Sequence, residues 1–114
     1  MTSQHTNGPQ RDDLCAIDED EAREVARFFQ VLADPTRIRL LKALAEGEWC
    51  VRDLTHALAM EQPAVSHQLK YLREQGMVRW TKQGRYVYYT LEDDRMRAVL
   101  ASGLARVVDM PPGA

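Results

Sequence analysis

A chain of 114 residues with 45% hydrophobic and 28% charged content fits one soluble domain with a modest core, and a second domain is not expected. No apolar run approaches the roughly eighteen residues of a membrane span, and "MTSQHTNGPQRDD" lacks the basic-then-apolar layout of a signal peptide, so a cytoplasmic location is expected. The net charge of −2 conceals an asymmetry: residues 1–24 hold seven acids against Arg11 and Arg23, whereas Lys70, Arg73, Arg79, Lys82 and Arg85 face Glu74 alone within residues 62–90, which points to a local anionic partner.

Residues 1–17, polar and with Gly8-Pro9, form the expected flexible N-terminal arm. A first helix is expected to open at Asp18, where Glu21 three residues on completes a capping box, and Val25, Phe28, Phe29 and Leu32 then recur on one face. Asp34-Pro35 reads as N-cap and N1 of the next helix, with Ile38, Leu41 and Leu44 as its apolar stripe and Gly47 as its stop. A short third helix is expected over about 51–59, burying Val51, Leu54 and Leu58. "MEQPAVSHQLKYLREQG" reads as a fourth, from Gln62 to about Gln75. On it Val65, Leu69 and Leu72 fall within about 60° of one another, and Ser66, His67 and Lys70 point away. The alternating runs "MVRWTK" and "RYVYYTL" flank Gln83-Gly84 and predict a hairpin with Lys82 and Arg85 near its tip. A last helix over about 93–108 carries Met96, Val99, Leu100, Leu104 and Val107 on a broad apolar stripe, and residues 111–114 form a short tail.

That order, α-α-α-α-β-β-α, mainly helical with a β-hairpin wing, is that of a winged helix-turn-helix. "FFQVLADPTRIRLLKALAEGEWCVRDL", "QPAVSHQLKYLREQGMV" and "KQGRYVYYTL" together resemble the ArsR/SmtB family of metal-sensing bacterial repressors, over roughly residues 25–108. The resemblance implies a homodimer joined through its first and last helices, with one reading helix and one wing per subunit on double-stranded operator DNA. Residues 18–110 would then be the DNA-binding and dimerisation domain. The residues agree: Gln62, Ser66, His67, Gln68 and Lys70 offer hydrogen-bonding groups to base edges and phosphates, and Lys82 and Arg85 offer charge to phosphate or the minor groove. Taken alone, the same helix face reads as an ordinary solvated surface. Tyr86, Tyr88 and Tyr89 read as sheet packing rather than base-stacking groups.

"GEWCVRDL" places Cys50 and Asp53 three residues apart, hence about 60° apart on a continuous helix, and able to reach one ion. His56 would lie about 120° from Cys50, too far round to join them at a tetrahedral ion. Each residue also has a plain structural reading, Cys50 as a small hydrophobe and Asp53 as a first-turn acid favoured by the helix dipole. The resemblance pairs such a box with ligands from the N-terminal arm or first helix of the other subunit. Cys15 is the preferred third ligand and His5 the next, with Asp18 and Glu19 as further candidates. A histidine found in one branch of the family four residues after the arm cysteine is Glu19 here. A second family site on the last helix maps onto Asp93, Arg95, Arg106 and Asp109, and arginine does not coordinate zinc, so that site is expected to be absent.

Two thiolates with a carboxylate or imidazole suit zinc and admit cadmium or lead, whereas arsenite favours three thiolates. The expected function is a metal-responsive repressor that binds operator as the apo homodimer and is released by the ion. The alternative is a thiol redox or persulfide-sensing repressor using Cys15 and Cys50. No enzyme is expected, because Cys50 with His56 is the sole nucleophile–base pairing in the sequence and is poorly placed for a hydrogen bond.

Overall fold

The computed structural model describes residues 16–109. Their elements run α1 (Glu19–Leu32), α2 (Pro35–Leu44), β1 (Trp49–Cys50), α3 (Val51–Leu58), α4 (Gln62–Glu74), β2 (Val78–Gln83), β3 (Tyr86–Leu91) and α5 (Asp94–Val108). Helices α3 and α4 with their short turn make the helix-turn-helix, and β2–β3 make the wing. The expected arm lies outside the described residues except for Ala16 and Ile17, as does the tail.

Local side-chain chemistry sets the starts of α1, α2 and α5. The Asp18 carboxylate accepts from the Glu21 backbone N–H at 2.8 Å and the Glu21 carboxylate accepts from the Asp18 N–H at 3.2 Å, a complete capping box. Asp34 accepts from the Arg37 N–H at 3.0 Å with Pro35 behind it, and Asp93 accepts from the Met96 N–H at 3.2 Å. The ends of α3 and α4 share one device. Ala59 N–H donates to His56 O and Met60 N–H to Thr55 O, and in the same way Gly76 N–H donates to Arg73 O and Met77 N–H to Leu72 O. Both are Schellman endings, which need a left-handed residue: Gly76 supplies it at φ +75°, but at φ +54° the residue is Ala59.

Three details depart from expectation. Helix α2 stops at Leu44 rather than near Gly47, and Leu40 takes the core position assigned to Ile38, which is 40% exposed. The hairpin's two-residue loop is Gly84-Arg85, because the register pairs Gln83 with Tyr86 and the left-handed φ of +65° must fall on the glycine. A third strand, β1, precedes α3 and pairs antiparallel with β3, Trp49 opposite Tyr89 and Cys50 opposite Tyr88, giving the sheet order β1-β3-β2. Cys50 is therefore the N-cap of α3, with extended φ/ψ of −81°/160°, and not a helical residue. The 60° and 120° rotations expected from it do not apply, because 100° per residue holds only inside the helix.

Leu40, Leu41 and Leu44 of α2, Leu54 of α3, and Val65, Leu69 and Leu72 of α4 are wholly buried, with Val78, Leu91, Met96 and Leu100 closing the core from the sheet and α5. Leu54→Ala should cost about 2–5 kcal/mol in urea unfolding, as expected for a fully buried leucine that leaves a cavity. Gly76→Ala should cost about 1 kcal/mol because its Cβ must occupy the left-handed region, and Ala59→Gly should give an effect of opposite sign.

Candidate functional site

Helix α4 has two characters. Val65, Leu69 and Leu72 face the core, while Gln62, Ser66, His67 and Lys70 are exposed. Gln68 stands apart from these four: it is half-buried on the flank nearest α2, and its Oε1 accepts from Arg37 Nε at 3.2 Å. Lys82, near the end of β2, and Arg85, in the turn, are exposed at the wing tip. Arg73, in the last turn of α4, lays its guanidinium 5.5 Å from the Trp80 ring centroid and so ties α4 to the wing. Among the described residues, Lys70, Arg73, Arg79, Lys82 and Arg85 form no ion pair with a carboxylate. Their charge is thus left for an external anion.

Cys50, a free half-buried thiol, and Asp53, exposed in the first turn of α3, line one open cleft of about 380 Å3. Its other wall is the wing, contributed by Arg85, Tyr86 and Tyr88. No local pattern of residues predicts the wing there, since the contact depends on β1 pairing with β3. His56 turns to a separate cleft of about 640 Å3 between α3 and the start of α4, which Asp53 also borders. Among the described residues no three histidine, cysteine or acidic side chains come together as an ion-binding group. Cys15 and His5 lie outside the described residues. Asp18 is engaged in its cap, and Glu19 pairs with Arg23 at 2.6 Å.

The positions matching the second family site are employed otherwise at one end. Asp93 pairs with Arg95 at 2.8 Å and caps α5, and the Arg95 hydrogen bonds, followed by the Met96 N–H, hold its carboxyl below the usual value. Arg106 and Asp109 are exposed at the far end of α5.

Away from these residues, α1, α2 and α5 border an apolar groove of about 910 Å3 lined by Phe29, Leu32, Ile38, Val99, Leu104 and Val107. Phe29 is 54%, Leu104 49% and Val107 65% exposed, an apolar surface that a soluble chain rarely leaves uncovered. Residues missed by sequence reasoning are Arg37, which touches three groups on α1 and α4, and Trp49, whose Nε1 donates to Ala43 O at 2.9 Å and fixes the approach to Cys50. The Asp-Pro-Thr-Arg start of α2 and the Trp beside the cysteine were the available signals.

The family model described as "Bacterial regulatory protein, arsR family" matches residues 34–79, from the N-cap of α2 into β2. The chain is 49% identical over 77 residues to the transcriptional repressor SmtB homolog of Synechocystis sp., a match covering 68% of this chain and 58% of that relative's length. It is 42% identical over 84 residues to the HTH-type transcriptional regulator NmtR of Mycobacterium tuberculosis, covering 74% and 70%. The crystal structure of AntR, titled an antimony-specific transcriptional repressor, superposes with a TM-score of 0.76 at 38% identity, covering 90% of this chain and 93% of that one. These relatives are transcriptional regulators rather than enzymes. With its winged helix-turn-helix, the unpaired basic side chains on α4 and the wing, and these matches, the chain belongs to the arsR family of bacterial regulatory proteins.

Proposed function

We propose that the chain is a metal-responsive transcriptional repressor that binds operator DNA as a homodimer without metal and leaves it when zinc, or a softer ion such as cadmium or lead, is bound. The observation that carries this reading is the shared cleft of Cys50 and Asp53, walled by the wing that carries Arg85. Thiolate and carboxylate are donors suited to such ions, but two donors are half of a tetrahedral shell. Cys15, and after it His5, would complete the set from the arm of a second subunit. The ion, when bound, supplies a cross-link between that arm and α3. Asp18 and Glu19 are less suited, being committed to the cap and to Arg23. The similarity to an antimony-specific repressor supports a response to a soft ion.

The protein's own groups do the rest. Gln62, Ser66, His67 and Lys70 would meet the major groove, and Lys82 and Arg85 the phosphates beside it. The apolar face of α1 and α5 would join two subunits, setting the spacing of two reading helices on one face of the duplex. Any loss of operator affinity on metal binding must be matched by an equal loss of metal affinity on operator.

Fluorescence anisotropy on an operator fragment tests the whole scheme, with reduced protein titrated by zinc, cadmium and lead and, separately, by diamide. Release by a metal at one ion per subunit is the expected result; release by diamide alone would replace it with a cysteine-pair redox sensor. Cys50→Ser should still bind operator but ignore metal, and a variant that continued to release would remove Cys50 from the site. Lys70→Ala and Arg85→Ala should each flatten the dependence of log affinity on log salt by about one unit, since each removes one phosphate contact. Leu104→Glu should leave the fold intact yet shift the chain to monomer in sedimentation, because it puts a charge on the exposed apolar face of α5.

A further inference from the structure

Arg37 lies in the first turn of α2, half-buried and away from the sensor cleft. Its guanidinium serves three groups at once. Nε donates to Gln68 Oε1 of α4 at 3.2 Å, and a terminal nitrogen donates to the Val31 carbonyl at 3.2 Å. Cζ stands 4.4 Å from the centroid of the Tyr71 ring, also on α4. The Val31 carbonyl is among the last four of α1, which have no partner within the helix. A planar fork with donors on three nitrogens can satisfy all of these positions; an ammonium cannot.

The chemistry of the contact also orients Gln68. A guanidinium has donors only, so the atom of the carboxamide that faces it must be the oxygen. The amide nitrogen, with two donors, is then the end left for other partners. Glutamine reads adenine with acceptor and donor together, to N6 and N7. With Oε1 turned towards Arg37 and one of its two lone pairs taken, Gln68 leads with its amide donors, which suit phosphate oxygen, guanine O6 and N7, or thymine O4.

We infer that Arg37 is a positioning residue for the reading helix: it anchors α4 to the carboxyl end of α1 through Gln68 and Tyr71, and by holding Gln68 Oε1 it sets the hydrogen-bonding character that Gln68 presents to a duplex. This rests on the operator-binding reading above and adds to it a residue that itself touches no base.

The test uses the full chain as wild type, Arg37→Lys, Gln68→Ala and the double variant. Each is put through selection from a randomised duplex library, followed by anisotropy over a salt series and thermal unfolding. Arg37→Lys is expected to weaken the preferred duplex on the order of tenfold, with the salt slope and unfolding midpoint near wild type. It should change base preference at the same position as Gln68→Ala, and change nothing further in the Gln68→Ala background. A salt slope flattened by about one unit would make Arg37 a phosphate contact and overturn the inference. So would a parallel loss on preferred and random duplexes with a lowered midpoint and unchanged base preference, the signature of simple packing. In the free protein, the Gln68 side-chain amide proton resonances should shift in Arg37→Lys, and unmoved resonances would overturn the clamp independently of DNA. A wild-type chain that selects no duplex would overturn the operator reading, and the role of Arg37 in base preference with it.

Discussion

Seven aliphatic side chains, three from α2, one from α3 and three from α4, are removed completely from solvent, and their meeting is what holds these three helices together. Each such burial is worth about 1.5–3 kcal/mol before the entropy of ordering is subtracted, so α3 and α4 cannot separate without exposing several at once. A core of leucines and valines is nearly free of directional preference. Direction comes from its polar margin: the Trp49 indole on Ala43 O, the Arg39 guanidinium on Leu58 O at 2.8 Å, and Arg37 bridging α1 to α4. These few hydrogen bonds fix how the helices are turned, while the core fixes only that they are together.

The same arrangement makes Cys50 a junction. Its backbone is shared between a strand paired with β3 and the cap of α3, so one residue belongs to both the wing sheet and the helix-turn-helix. A ligand held by its thiol and by Asp53 would touch both at once, and it can bias the molecule only by the difference in its affinity for two arrangements of them. No long relay is required for such a bias, because the cleft wall and the hairpin that carries Lys82 and Arg85 are one piece of sheet.

What could be read in the sequence follows the range of the interactions concerned. The caps at Asp18, Asp34 and Asp93 are satisfied within three residues, and the periodic faces of α1, α4 and α5 repeat within a turn or two, so short windows contain them. Strand β1 was not legible, because two residues cannot display an alternation and their partners, Tyr88 and Tyr89, lie far along the chain. The error over the Cys50 rotation has the same origin: a strand that ends at a cap looks, in sequence, like one more helical position. Periodicity also could not tell a stripe buried in its own core from one left outside; on α5, Met96 and Leu100 are buried while Leu104 and Val107 are not. Arg37 escaped notice because its three partners are brought together only by the packing of α1 on α2 and of α4 beside them.

Ala59 ends α3 where its twin at the end of α4 uses glycine. A glycine there could wander through much of the positive-φ half of backbone space and beyond, whereas an alanine at positive φ is confined to one small well, held at some energetic disadvantage by the two hydrogen bonds around it. The elbow between α3 and α4 is therefore stiff. Under the function proposed above, a disturbance beginning at Cys50 and Asp53 would not be absorbed there by bending, and α3 and α4 would turn together about whatever joins the chain to a second subunit. In a proposed dimer on one duplex, a few degrees of such rigid rotation would move the far ends out of step with the groove, whereas a compliant elbow would let each α4 follow the DNA and stay bound.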